Sequence, residues 1–94
     1  MLLAGAIAAG AAGAHDLDQD EALRLRQSGT LQALEVLLAR VRDRYPGATL
    51  LEAELEYELD RIVYELEVLT TEGAVRELEF DARSGALLKD EEED

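Results

Sequence analysis

The sequence predicts an α+β domain of two layers, with N-terminal helices packed on one face of a three- to four-stranded antiparallel meander sheet. Three observations carry this. Apolar residues recur at steps of three and four up to residue 45 and at steps of two after residue 48. The segments with the two-residue period are joined by hairpin-length turns, too short for crossover helices. The chain has 94 residues, which leaves room for one small core and no second domain.

Met1 to Ala14 contains 11 apolar residues and no charge. Ala12-Gly13-Ala14 puts small residues at the −3 and −1 positions of a cleavage site, so the spacing predicts a signal peptide cut before His15. The run is shorter than the about 20 apolar residues that span a bilayer. No Lys or Arg precedes it, and the competing reading is an uncleaved Ala/Gly leader. Export then delivers a domain at 15–89 to the periplasm or the extracellular space. A newly exposed His15 could chelate copper, but the chain has one His, so the expectation is a frayed terminus.

Asp18 is placed to cap a helix over Gln19–Gln27, with Glu21 closing a capping box and Leu17 stapled to Ala22. Ser28-Gly29 breaks it. Thr30 then caps a second helix that runs to Tyr45, where Pro46-Gly47 ends the pattern. Leu31, Leu34, Leu37, Leu38, Val41 and Tyr45 form its apolar stripe, which needs a sheet to cover. From Thr49, Leu51, Ala53, Leu55 and Tyr57 alternate with Glu52, Glu54, Glu56 and Glu58, as in a strand wetted on one side. A second strand over Ile62–Thr70 points Ile62, Tyr64, Leu66 and Val68 inward and Glu65 and Glu67 outward. After a hairpin at Glu72-Gly73, Leu78 and Phe80 oppose Val75, Glu77, Glu79 and Asp81. Arg83-Ser84-Gly85 turns the chain into Ala86–Leu88, a short apolar segment that decides between three strands and four. Five consecutive acids at 90–94 predict a disordered tail.

The net charge of −13 repels phosphate backbones and anionic lipid, which argues against nucleic acid and membrane-surface partners. With no Cys, disulfides and thiolate metal sites are excluded. One His and two Ser leave few parts for nucleophilic catalysis. An open acidic sheet lacks the cleft that paired-carboxylate chemistry requires, so the chain reads as no enzyme, with no cofactor.

The strongest feature is the wet face, which should display Glu52, Glu54, Glu56, Glu65, Glu67, Glu77, Glu79 and Asp81 in adjacent rows. It has three readings: a solvated face relieved by Arg61 and Arg76, a docking surface for a basic protein or peptide, or a divalent-cation buffer or sensor. Calcium needs about six to eight converging oxygens, whereas side chains on a flat sheet diverge, so no metal ligands are assigned. Arg40 and Arg44, one helical turn apart, are either a solvated helix side or an anion-facing row. Tyr45, Tyr57, Tyr64 and Phe80 all fall on core-facing positions, and Tyr64 is placed to send its hydroxyl to the end of the sheet.

The stretch from Asp18 to Leu88 resembles a small exported PepSY domain. The resemblance rests on Gln19-Asp20-Glu21-Ala22, the block LLARVRDRYPGATLLEAELE from Leu37 to Glu56, Val63-Tyr64-Glu65, and GAVRELEFDARSGALL from Gly73 to Leu88. Tyr64, Glu65, Asp81 and Gly85 are its most diagnostic positions. Two departures concern loop geometry: Gln32 stands where relatives often have Pro, and Asp60 where they often have Gly. The resemblance implies a binding and regulatory role, akin to protease propeptide segments and extracytoplasmic regulatory modules, without catalytic residues. It does not name the thing bound; together with the acidic face it points to a protein or peptide, such as a protease or a sensor's extracytoplasmic domain.

Overall fold

The computed structural model describes residues 14–16 and 18–93. The apolar run at 1–13, Leu17 with its expected staple, and Asp94 lie outside the described residues. In chain order the elements are β1 (Ala14–Asp16), α1 (Gln19–Gln27), α2 (Leu34–Arg44), β2 (Thr49–Glu58), β3 (Arg61–Leu69), β4 (Val75–Asp81) and β5 (Leu87–Glu92). The strands lie in the order β1-β2-β3-β4-β5, antiparallel throughout, with β3 central. The expected meander with helices on one face is therefore the fold.

Asp18 caps α1 as its position predicts, its Oδ1 accepting the Glu21 N–H at 2.8 Å. The Glu21 carboxylate accepts the Tyr57 hydroxyl at 3.2 Å, tying helix to sheet. Thr30 does not cap α2. The helix starts at Leu34 after Ala33, which offers no side-chain cap. The reason is a tertiary tie: Gln32 N–H donates to the Ala82 carbonyl at 2.7 Å and Gln32 Nε2 to the Arg83 carbonyl at 3.0 Å. Those bonds keep residues 30–33 out of the helix and press Leu31 into the core.

Leu37 and Val41 of α2 are buried against Leu55, Ile62, Tyr64, Leu66, Val68, Leu78 and Phe80. Each large aliphatic chain fully buried there contributes about 1.5 to 3 kcal/mol. Leu34, Leu38 and Tyr45 pack at the margin of this core, and so do Ala22 and Leu25 of α1.

Three further expectations are corrected. Leu51 is not inward: a bulge between Leu50 and Glu52 resets the β2 register, so Leu50 packs on the core and Leu51 stands 48 % exposed. Arg76 does not relieve the wet face; it lies on the helix side beside Tyr45, its guanidinium 5.4 Å from the ring centroid. The acidic tail is not disordered through Glu92. It forms the second half of β5 because Asp90 accepts hydrogen bonds from Arg76 Nε at 2.7 Å, Arg44 Nε at 2.7 Å and Tyr45 Oη at 2.6 Å. His15 sits in β1 opposite Tyr57 in the uncut chain, and the expected cut between Ala14 and His15 falls inside that strand.

Candidate functional site

Alternation of side chains along β2, β3, β4 and β5 sends every second residue away from the helices. Register then lines the acids up across the strands. One row reads Glu54, Glu65, Glu79, Lys89; the next reads Glu52, Glu67, Glu77, Glu91. Directly opposed residues on one face stand about 4.5 to 5.5 Å apart at Cβ, so like charges are stacked at the closest spacing a sheet allows. Carboxylate oxygens of Glu54, Glu56 and Glu65 lie within 4.8 Å of one another, as do those of Glu65, Glu77 and Glu79. A pit of about 30 Å³ opens between Glu52, Glu54, Glu65, Glu67, Glu77 and Glu93.

The face meets this crowding partly with protons. Glu65 donates a hydrogen bond to Glu77, and with burial and the charges of Glu56, Glu77 and Glu79 this pushes its carboxyl up to about 9. Glu77 is correspondingly held below the usual carboxylate range, first by that bond and then by Lys89 against the cost of burial. Glu67 is raised by its hydrogen bond to Glu93, and Glu79 by burial and the charge of Glu58. Lys89 is the central cation, with Nζ 3.5 Å from Glu77, 3.7 Å from Glu79 and 3.8 Å from Glu91. The sequence reading missed it, because it adjoins a run of acids that reads as tail. Its place one strand beyond Glu79 was the available signal, while a bulge in the β4–β5 pairing hides its face from simple alternation with Leu87.

The family profile described as "Peptidase propeptide and YPEB domain" matches residues 32–91. The chain belongs to the PepSY family. No curated protein sequence and no solved structure matches the chain significantly. PepSY domains are typically non-catalytic modules akin to protease propeptides. In this PepSY domain, no helix among the described residues is long and apolar enough to cross a membrane.

The family-like positions separate by role. Tyr64 and Glu65 are neighbours in β3 and so point to opposite faces. Tyr64 is buried, and its hydroxyl accepts from Arg26 Nε of α1 at 3.2 Å rather than reaching the sheet's end. Glu65 sits at the centre of the carboxylate rows. Asp81 marks the end of the wet face, but its Oδ1 accepts the Arg83 and Ser84 N–H groups, both at 2.9 Å, which fastens the β4–β5 turn. Those bonds, Ser84 first, hold its carboxyl low against burial. Gly85 follows with φ +81, and a Cβ there would lie 2.8 Å from the Arg40 guanidinium. Arg40 donates to the Gly85 carbonyl and Arg44 to Asp90, so both arginines are engaged within the fold. The wet face thus carries seven glutamates and Lys89, while Asp81 at its end fastens the turn through Oδ1.

Proposed function

We propose that this PepSY domain is an exported, non-catalytic regulatory module that binds a basic protein or peptide through the wet face of its sheet, modulating a protease or an extracytoplasmic sensor. The observation that supports it is the stacking of opposed glutamates in two rows on a face that no helix among the described residues covers. Two carboxylates about 5 Å apart repel by about 0.8 kcal/mol at water's dielectric constant. A domain of this size is typically stable by roughly 4 to 12 kcal/mol, so several such pairs cost a sizeable share of it. A partner that brings cations to the rows recovers that cost on binding.

Export is supported by the apolar run ending in Ala12-Gly13-Ala14. The non-catalytic reading is supported by the family, whose members are typically non-catalytic, propeptide-like modules. The about 30 Å³ pit beside Glu65 has no room for a substrate. The test is crosslinking in the native compartment followed by mass spectrometry, with the wild type beside Glu54→Gln/Glu65→Gln/Glu67→Gln/Glu79→Gln. A basic partner captured by the first and lost by the second supports the reading, and equal capture refutes it.

The two carboxylate triads within 4.8 Å favour a second reading, a divalent-cation-responsive buffer or sensor. A melting temperature that responds to Ca²⁺ or Mg²⁺ beyond matched ionic strength supports it; dependence on ionic strength alone removes it.

A further inference from the structure

The sheet ends in an open edge at β5. On one side of Leu87–Glu92 lies β4, and among the described residues no strand lies on the other. Glu93 N–H bonds the Val75 carbonyl at 2.8 Å, and backbone groups alternate sides along an antiparallel strand. Lys89 and Glu91 therefore turn their N–H and C=O groups to β4, while the Asp90 and Glu92 N–H groups and the Glu92 carbonyl face the open side, the Asp90 carbonyl accepting from Arg76 Nη2 at 3.4 Å. Alongside runs a groove of about 400 Å³ between α2 and the start of β5. Phe80, Ala86 and Leu87 give it an apolar lining, and Arg40, Asp43 and Arg44 flank it from α2. Leu87 and Leu88 remain 37 % and 40 % exposed beside it.

Charge selects the occupant. A second copy would bring another −13 and set Glu91 and Glu92 against their like, while Lys89 is already held by three glutamates. An added strand with Lys or Arg on its outward side meets Glu91, whose side chain is 67 % exposed, and prolongs the row that runs from Glu77 through Glu67 to Glu52. Its inward side chains meet Phe80 and Leu87 in the groove, where Arg40 and Arg44 repel a cation. We propose that the β5 edge takes an extended peptide segment as an additional strand, alternating apolar side chains toward the groove under α2 with basic ones toward Glu91 and Glu77. This rests on the acidic-face reading and adds to it the manner of binding and the pattern of the partner.

The probe is a short synthetic peptide alternating Lys and Val, its affinity for the full chain read by fluorescence anisotropy at low salt. Three comparisons accompany it: the same peptide N-methylated on alternate backbone amides, which keeps its charge, and the protein variants Glu92→Pro and Glu92→Gln. Pro removes an outward N–H that the β4 ladder does not use. N-methylation and Glu92→Pro should each weaken binding about tenfold or more, while Glu92→Gln has little effect. Amide exchange at Asp90 and Glu92 should slow when the peptide is added. Equal affinity of the methylated and parent peptides, or no binding of the parent, overturns strand addition, and the methylated-peptide comparison stands whether or not Glu92→Pro folds. Parent binding that is sensitive to N-methylation but unchanged in Glu77→Gln/Glu91→Gln instead refutes the acidic contacts and leaves the edge in place.

Discussion

Glu65 and Glu77 lie diagonally across β3 and β4, and the hydrogen bond between their carboxyl groups keeps a proton on Glu65 up to about pH 9. The folded protein therefore holds a proton that the unfolded chain, with an ordinary Glu near 4.5, gives up. That contribution to stability is fully present below the unfolded value and is lost as pH rises through about 9. Glu67 and Glu79 are raised and act in the same sense. Glu77, Asp81 and Asp90 are lowered and act oppositely, their contributions being lost as pH falls through their depressed values. Calorimetry should show the melting temperature rising from pH 9 to about pH 5 and falling again below about pH 4. Glu65→Gln should flatten the alkaline limb. A melting temperature that drops between pH 9 and pH 5 would contradict the shared proton.

Lys89 is the cation that the two rows have in common. Lys89→Gln should cost about 1 to 2 kcal/mol at low ionic strength, because Glu77 and Glu79 are partly shielded from water. In molar salt, where screening acts within about 3 Å, most of that loss should disappear. Urea denaturation at two salt concentrations measures the difference, and a salt-independent loss would mean that Lys89 acts through packing.

Asp90 anchors β5 to α2 and β4 through Arg44, Arg76 and Tyr45. Burial pushes its carboxyl up, but the hydrogen bonds from Tyr45, Arg44 and Arg76 together outweigh that and hold it below the usual range. Asp90→Ala leaves two guanidinium groups and a hydroxyl without their acceptor and should cost about 2 to 4 kcal/mol. Hydrogen exchange should then accelerate along β5 before it does so in β3. Uniform loss across the sheet would show that β5 is not separately fastened.

Leu59 adopts φ +56 in the β2–β3 turn and is 83 % exposed. A left-handed backbone costs a residue with a Cβ about 1 kcal/mol, and the side chain gains nothing from burial. Leu59→Gly should therefore raise stability by about 1 kcal/mol, as read from the midpoint of a denaturation curve. A destabilised variant would mean that the exposed leucine has a contact of its own.

These cases show which parts of the molecule could be read from its sequence. The alternation of Ile62, Tyr64, Leu66 and Val68 with Glu65 and Glu67 specifies β3 because one face is buried and the other wet, and a strand has only two faces. The same rule fails at Leu51, since a bulge inserts one residue and no local pattern marks it. Asp90 was hidden for another reason. A run of acids looks solvated until Arg44 and Arg76, far off in sequence, are brought to it by the fold. Likewise Thr30 has the chemistry of a cap, but Gln32 is held by Ala82 and Arg83 and delays the helix. The carboxylate rows were legible as a face; their register, shared protons and one lysine required the pairing of strands.

The most direct test of the account measures the melting temperature of the wild type and of Glu54→Gln/Glu65→Gln/Glu67→Gln/Glu79→Gln at neutral pH and low salt, with and without polylysine. Without polycation the variant should melt higher, because the charges of Glu54, Glu67 and Glu79 are gone from beside Glu56, Glu52, Glu58 and Glu77. With it, the wild type should be stabilised through linkage and the variant should scarcely move. A variant that melts lower, or that gains as much from polylysine as the wild type does, would contradict the claim that the wet face is a strained surface waiting for positive charge.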